Sequence, residues 1–133
     1  MRTVLVMLAL TALAVARPSL SGNWRSQVGQ VSLREMPEGL EIDGQLFLTG
    51  QDDEGPEPGS SNFLVTRLTR TSEGYHLYRE SRRTTQEEGG PIRVIFLETD
   101  TDYQLIGERN LRVTTVYENG TRCLISEYWR VDD

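Results

Sequence analysis

Short strand-forming segments separated by tight turn signals are the feature that most limits how this chain can fold. Segments rich in Val, Ile, Leu, Thr and aromatic residues recur after residue 17, and helical periodicity is weak there. Turn signals lie at Met36-Pro37-Glu38-Gly39, Ser72-Glu73-Gly74, Gly89-Gly90-Pro91 and Glu118-Asn119-Gly120. Such connections cannot join parallel strands, which need a crossover of about a dozen residues or more. The sequence therefore predicts an antiparallel, up-and-down sheet.

Seven segments are predicted to be strands: 24–35, 39–49, 63–71, 75–84, 92–98, 103–118, with a break near Asn110 as an alternative, and 122–131. Because side chains alternate along a strand, the second segment is expected to bury one face made of Leu40, Ile42, Leu46 and Leu48. The run 94–97 is apolar at every position and is expected to be covered on both faces. The predicted fold class is all-β, an antiparallel β-barrel of seven to eight strands, because regular meander connections favour a barrel over a sandwich.

The beginning of the chain has the pattern of a secretory signal peptide. Arg2 precedes an unbroken apolar run, and Ala14-Val15-Ala16 forms an A-x-A cleavage site. The run is shorter than the roughly 20 residues that a membrane-spanning helix needs. We expect residues 1–16 to be removed, residues 17–133 to form one domain, and the protein to be secreted and extracellular, with no membrane span.

The composition limits the kinds of partner that the protein can bind. The chain has 20 acidic and 14 basic residues, a net charge of −6, and no lysine. This balance argues against nucleic-acid binding, which needs a concentrated positive field. The single cysteine, Cys123, excludes an internal disulfide; it is expected to be a buried apolar side chain, with pairing between chains as the alternative. We expect a monomer or a weak dimer.

Two polar segments suggest surface features. Asn119-Gly120-Thr121 is an N-glycosylation acceptor, and its Asn-Gly pair also favours a hairpin turn. The acidic segment 51–61 combines like charges with two prolines and is predicted to be a mobile loop. Clustered carboxylates could also bind calcium, but the spacing does not match an EF-hand loop.

Three motifs resemble those of the lipocalin family, within the calycin superfamily. Gly22 and Trp24 match the G-x-W motif of the first strand, and Thr101-Asp102-Tyr103 is similar to the T-D-Y motif before the penultimate strand. Arg130 stands where lipocalins place an arginine at the end of the last strand. The order and spacing, from about residue 20 to 130, are most similar to small odorant- and pheromone-binding lipocalins.

The resemblance implies roles for these residues. Trp24 would stack on Arg130 at one end of the barrel, with the guanidinium within about 6 Å of the ring. The inward positions of the last strand would be Leu124, Ser126 and Tyr128, with Tyr128 as the polar contact for a ligand. We also expect departures from the family: no C-terminal helix, no usual disulfide and no room for the usual third strand.

The residues offer little for catalysis. His76 is the only histidine, and there is neither a Gly-x-Ser-x-Gly elbow nor a reactive-cysteine signature. One histidine and one cysteine do not make a zinc site. We expect no enzyme activity, no catalytic residue, no metal and no cofactor.

The leading hypothesis is a carrier that binds a small hydrophobic ligand, such as an odorant, pheromone, fatty acid or other small lipid, inside the barrel. The expected lining residues are Leu46, Leu48, Phe63, Val65, Val94, Phe96, Leu105, Leu124, Ser126 and Tyr128. The same side chains could instead pack on each other as a filled core. The alternatives are a protein-binding barrel, such as a protease inhibitor, that uses its acidic loop, and an avidin-like biotin binder, whose polar first-strand residues are not matched here.

Overall fold

One sheet of ten antiparallel strands accounts for nearly all of the structure, a computed structural model that describes residues 18–56, 62–117 and 120–131. The strands are β1 (Gly22–Arg25), β2 (Gln30–Glu35), β3 (Gly39–Ile42), β4 (Gln45–Leu48), β5 (Asp52–Pro56), β6 (Phe63–Arg70), β7 (Gly74–Gln86), β8 (Ile92–Gly107), β9 (Asn110–Tyr117) and β10 (Arg122–Arg130). The residues that the structure describes contain no helix long and apolar enough to cross a membrane.

The sheet curls until its ends almost meet. Its order is β4-β3-β2-β1-β10-β9-β8-β7-β6-β5, so the first strand pairs with the last, with Trp24 opposite Arg130. The barrel nearly closes where Thr49, just after β4, forms a single bridge with Leu68 of β6, and there the Gly50 amide donates to the Leu68 carbonyl at 3.2 Å. The predicted antiparallel all-β barrel is confirmed as a nearly closed barrel, whereas the predicted seven to eight strands are wrong, since ten are present.

A two-residue turn explains one of the extra strands. Asp43 and Gly44 have φ values of 49° and 88°, and Ile42 pairs directly with Gln45, which is a hairpin of the primed type. Residues that pair directly share a face, so the buried parity changes from even to odd numbers across the turn. Leu40 and Ile42 therefore face the core together with Phe47. The prediction that Leu46 and Leu48 lie on the same face as Leu40 and Ile42 is wrong.

Other segment boundaries also moved. A turn in which the Ser26 amide donates to the Gly29 carbonyl at 2.7 Å divides 24–35 into β1 and β2. Strand β8 runs unbroken through Thr101-Asp102-Tyr103 to Gly107, and β9 begins at Asn110, so the predicted division into 92–98 and 103–118 is wrong and the alternative break near Asn110 is confirmed. The predicted acidic loop is wrong for Asp52–Pro56, which pairs with β6 as β5; residues 57–61 lie outside the described ranges.

The core fills one end of the barrel, which we call the closed end. Cross-strand pairing places its members on the inner face of the sheet, except Leu20, which precedes β1, and none is more than 3% exposed. They are Leu20, Trp24, Leu33, Leu40, Phe47, Leu68, Tyr75, Leu77 and Leu111. Because large side chains occupy this end, it offers no interior space for a ligand.

The opposite end, which we call the open end, is built only by the longer strands. Strand β9 finishes at Tyr117, opposite Thr99, and β6 begins at Phe63, opposite Arg82. Beyond these points β7 and β8 continue as a two-stranded hairpin. Its apolar side chains are uncovered, with Phe96 52% and Leu97 55% exposed, so the prediction that 94–97 is covered on both faces is wrong.

Candidate functional site

The first and last strands hold a structural motif at the closed end. The Arg130 guanidinium lies 4.3 Å from the centre of the Trp24 ring, which confirms the expected contact, and it donates to the carbonyls of Ser19 at 2.8 Å and Ser21 at 2.6 Å. Gly22 has a φ of 146°, and a Cβ there would lie 2.7 Å from Nη1 of Arg130. Gly22, Trp24 and Arg130 therefore form one interlocked unit of the core.

The Thr101-Asp102-Tyr103 tripeptide serves both faces of β8. Thr101 and Tyr103 point inward, where Thr101 is 9% exposed and burial raises the pKa of Tyr103. Asp102 points outward and its Oδ1 lies 2.7 Å from Nδ1 of His76. These contacts give the tripeptide a structural role in this barrel.

His76 is held between two carboxylates on the outer face. Its Nε2 lies 2.9 Å from Oδ1 of Asp100, in addition to the contact with Asp102. Partial burial opposes protonation, but the hydrogen bonds and charges of Asp102 and Asp100 outweigh it and raise the pKa of His76. The arrangement stabilises a protonated imidazole.

The structure divides the ten expected lining residues between the two faces. Four point inward, as expected: Leu105, Leu124, Ser126 and Tyr128. The other six lie on the outer face, so the expectation that they line the interior is not met: Leu46, Leu48, Phe63, Val65, Val94 and Phe96. Leu105 packs against the core at the closed end, which leaves the three residues of β10 together.

An arginine explains why the outer face tolerates large apolar side chains. The Arg82 guanidinium lies 5.7 Å from the centre of the Phe63 ring and 5.8 Å from that of Phe96. Its carbon stem and cationic head cover part of both rings. Apolarity alone could not separate these positions from inward ones, because the outer surface is apolar here as well.

Leu124, Ser126 and Tyr128 meet in a groove of about 590 Å³ beside β10, which we call the edge groove. Its other walls come from the β1–β2 turn and from the outer face of β10. The full lining is Ser26, Gln27, Val28, Asn110, Leu124, Ile125, Ser126, Glu127, Tyr128 and Trp129. No sequence pattern pointed to the residues of the turn as part of a site.

The edge groove exists because β1 is short. Strand β1 pairs with β10 only at Arg130 and Trp129. The Val131 amide donates to Asn23 on this side, and hydrogen-bonding direction alternates along a strand, so odd-numbered residues of β10 present their backbone groups here. From Cys123 to Glu127 no described strand receives them. Cys123 itself is exposed, so its predicted burial is wrong.

A second groove, of about 510 Å³, opens inside the barrel above the core, and we call it the arginine groove. The Arg79 guanidinium lies 5.4 Å from the centre of the ring of Phe47, a core residue. The lining is Gln45, Asn62, Leu64, Arg79, Ser81, Leu97 and Thr99. Arg79 was not expected in a site from the sequence, although it shares the parity of inward-facing Leu77 along β7.

Several expectations lie partly or wholly outside the described residues. The signal peptide 1–16 and the glycosylation acceptor Asn119 are both outside them. Gly120, just after the acceptor, has a φ of 87°, as a tight turn requires. Within the described ranges, no group of three or more His, Cys, Asp or Glu side chains is arranged to hold a metal ion.

No protein-family model matches this chain, and no curated protein or solved structure is significantly similar to it. The resemblance to lipocalins therefore rests on the motif residues alone.

Proposed function

We propose that this protein is a secreted, non-catalytic carrier with a lipocalin-like barrel, and that it binds a small apolar ligand at the open end. One observation carries the proposal. Apolar side chains on the inner face remain uncovered there, with Ile95 37%, Leu97 55% and Leu124 56% exposed. Covering such surface is favourable by about 25 cal/mol per Å².

The filled closed end limits where the ligand lies. Trp24, Leu40 and Leu111 have no exposed surface, so the lower barrel is a packed core. The two grooves begin where this core stops, and their volumes of about 590 and 510 Å³ are in the range of small-molecule sites, roughly 300–1,000 Å³. A ligand at the open end would extend the core upward.

Tyr128 is the polar contact in this proposal. It packs partly against the core and lines the edge groove beside Ser126. A phenol at the border between apolar and open surface can bury its ring and still hydrogen-bond a ligand oxygen. Tyr128 would therefore orient a ligand that carries one polar group.

An environment-sensitive fluorescent probe tests the proposal. We expect saturable one-to-one binding and displacement by odorant-sized molecules or fatty acids. Tyr128→Phe should weaken ligands with a hydrogen-bonding group by about 0.5–1.5 kcal/mol and leave hydrocarbons nearly unchanged. Tyr78→Phe is the matched control, because Tyr78 lies on the outer face, where its hydroxyl oxygen is 2.9 Å from Oε2 of Glu80 and 3.1 Å from Oε1 of Glu98.

A different result would assign these side chains to structure alone. If the probe does not saturate and Tyr128→Phe changes the unfolding midpoint without changing any ligand affinity, the open end is not a ligand site.

The edge groove favours a second candidate function, the binding of a protein partner through an added strand. Cys123, Ile125 and Glu127 present backbone groups that no described strand receives, and an extended peptide could pair with them. Peptides selected from an extended-strand library should then protect these three amides from hydrogen exchange. Bound peptides that leave the amides unprotected would contradict this candidate.

A further inference from the structure

Charge is divided between the two faces of β5 to β10. In the described part of these strands the outer face carries most of the carboxylates: Asp52, Glu54, Glu80, Glu98, Asp100, Asp102 and Glu127. The outer arginines are paired with them, as Arg67 with Asp52, Arg82 with Glu80 and Arg112 with Glu127. The outer face therefore neutralises its own cations.

The inner face does not. Arg79, Arg83 and Arg93 point inward, and none of them forms a hydrogen bond or ion pair with any residue that the structure describes. Asp53 is the one carboxylate on this face within the described parts of β5 to β10. In a protein with a net charge of −6, three guanidinium groups without an ion-pair partner on one face of the β7–β8 hairpin are a specific feature of that face.

We infer that the arginine groove binds the anionic head group of an amphipathic ligand, with Arg79 as its principal partner. The inference rests on the proposed carrier function and names its ligand class. A guanidinium presents two parallel donors that match a carboxylate, phosphate or sulfate. Its stacking on Phe47, 5.4 Å away, holds it at the top of the core, where a ligand would arrive.

The other two arginines extend the positive field toward the entrance. Arg83 pairs with Ile95 and Arg93 pairs with Thr85, which makes the two arginines diagonal neighbours. Such neighbours are about 7–8 Å apart across a strand pair. Two cations at the rim raise the local concentration of anions and speed their entry.

Apolar side chains in the same groove indicate a ligand with a tail. Leu64 and Leu97 line it beside Arg79, and Leu97 is 55% exposed. Gln45 and Thr99 add polar groups that could bind a second head-group oxygen. The groove has the volume of a small-molecule site, which favours an amphiphile over the surface of an acidic protein.

Two ligands with the same tail and different head groups measure the contribution of the head group to binding. We expect decanoate to displace the fluorescent probe about tenfold more effectively than decan-1-ol at low salt, because a charged hydrogen bond adds to the same apolar contact. The difference should shrink as salt is added, since the arginines are exposed. Inorganic phosphate alone should bind more weakly than decanoate.

Variants assign the effect to the inner face. Arg79→Gln should weaken decanoate about tenfold and leave decan-1-ol within about twofold, whereas Arg79→Lys should retain part of the preference. Arg112→Gln, on the outer face, should change neither. The double variant Arg83→Gln/Arg93→Gln removes no hydrogen bond or ion pair with a described residue, so it can be tested even if Arg79→Gln does not fold. It should weaken the binding of decanoate at low salt only.

The outcomes distinguish this inference from the proposal on which it rests. Equal binding of decanoate and decan-1-ol would overturn the anionic class and leave the carrier function standing. Failure of both to bind would overturn the carrier function itself. If inorganic phosphate binds as tightly as decanoate, the apolar tail has no role in binding. If polyglutamate binds saturably and decanoate does not bind, the inner face is a site for an acidic protein.

Discussion

Three single residues at the closed end have specific structural roles. Gly22, Trp24 and Arg130 match a sequence motif, and the structure gives each a physical reason: a backbone angle that disfavours side chains, a fully buried ring and a guanidinium that caps it. The pairing of Trp24 with Arg130 was predictable from the resemblance. The need for glycine at position 22 was not, because it depends on where Nη1 of Arg130 lies.

Gly22→Ala should lower the free energy of unfolding by about 1–3 kcal/mol, because a side chain is strained at this φ and its Cβ would meet Arg130. Chemical denaturation followed by tryptophan fluorescence measures the change. Gly29→Ala is the control, since no heavy atom lies within 4 Å of a Cβ there, and it should cost less than about 0.5 kcal/mol. Equal losses for the two variants would show that Arg130 does not restrict Gly22.

His76 should make stability depend on pH. The two aspartates raise its pKa in the folded state above the ordinary value of 6.5, so the folded protein holds the proton more tightly than the unfolded chain. The stabilisation is fully present below pH 6.5 and is lost as pH rises through the folded-state pKa. His76 is the only histidine, so its imidazole proton signals report that pKa directly by NMR.

His76→Gln should remove this loss of unfolding free energy above pH 6.5. A variant that keeps the wild-type slope would place the titrating group elsewhere.

At the scale of elements, the presence of strand-forming segments was easier to predict than the turns that divide them into separate strands. The strand-forming segments after residue 62 were found, because apolar and β-branched residues mark them. Asp43-Gly44 is a strong turn signal, but it lies inside a run with regular alternation, and alternation alone does not show a reversal. Missing it moved Leu46 and Leu48 to the wrong face. The edge strand β5 was missed because acidic residues and proline are unusual in strands, although an edge position tolerates both.

Hydrogen exchange should alternate along β10. The amides of Leu124 and Ser126 face β9 and should exchange slowly, whereas those of Cys123 and Ile125 face the edge groove and should exchange at least about tenfold faster. Amide exchange measured by NMR on the uniformly labelled protein checks this pattern. Uniform protection from Cys123 to Glu127 would mean that another strand covers the edge.

At the scale of the whole molecule, the antiparallel barrel followed from the turns and the strand-forming segments. The candidate site followed only in part. Leu124, Ser126 and Tyr128 share a groove as the parity of the last strand predicted, but Arg79 was not identified. An inward charge at the border of a core looks, in sequence, like a solvated residue. Its position became clear only from the register that places it on the same face as Leu77 and Thr101.

The pairing of β1 with β10 also has a kinetic meaning. Arg130 binds the carbonyl of Ser21 across 109 positions of the chain, whereas most other strands pair with their immediate successors. Local hairpins can form early, but this contact must wait until the intervening loop has closed, which is costly in chain entropy. The seam between the first and last strands is therefore expected to form late on the folding pathway, so the stack of Trp24 and Arg130 would act mainly by slowing unfolding.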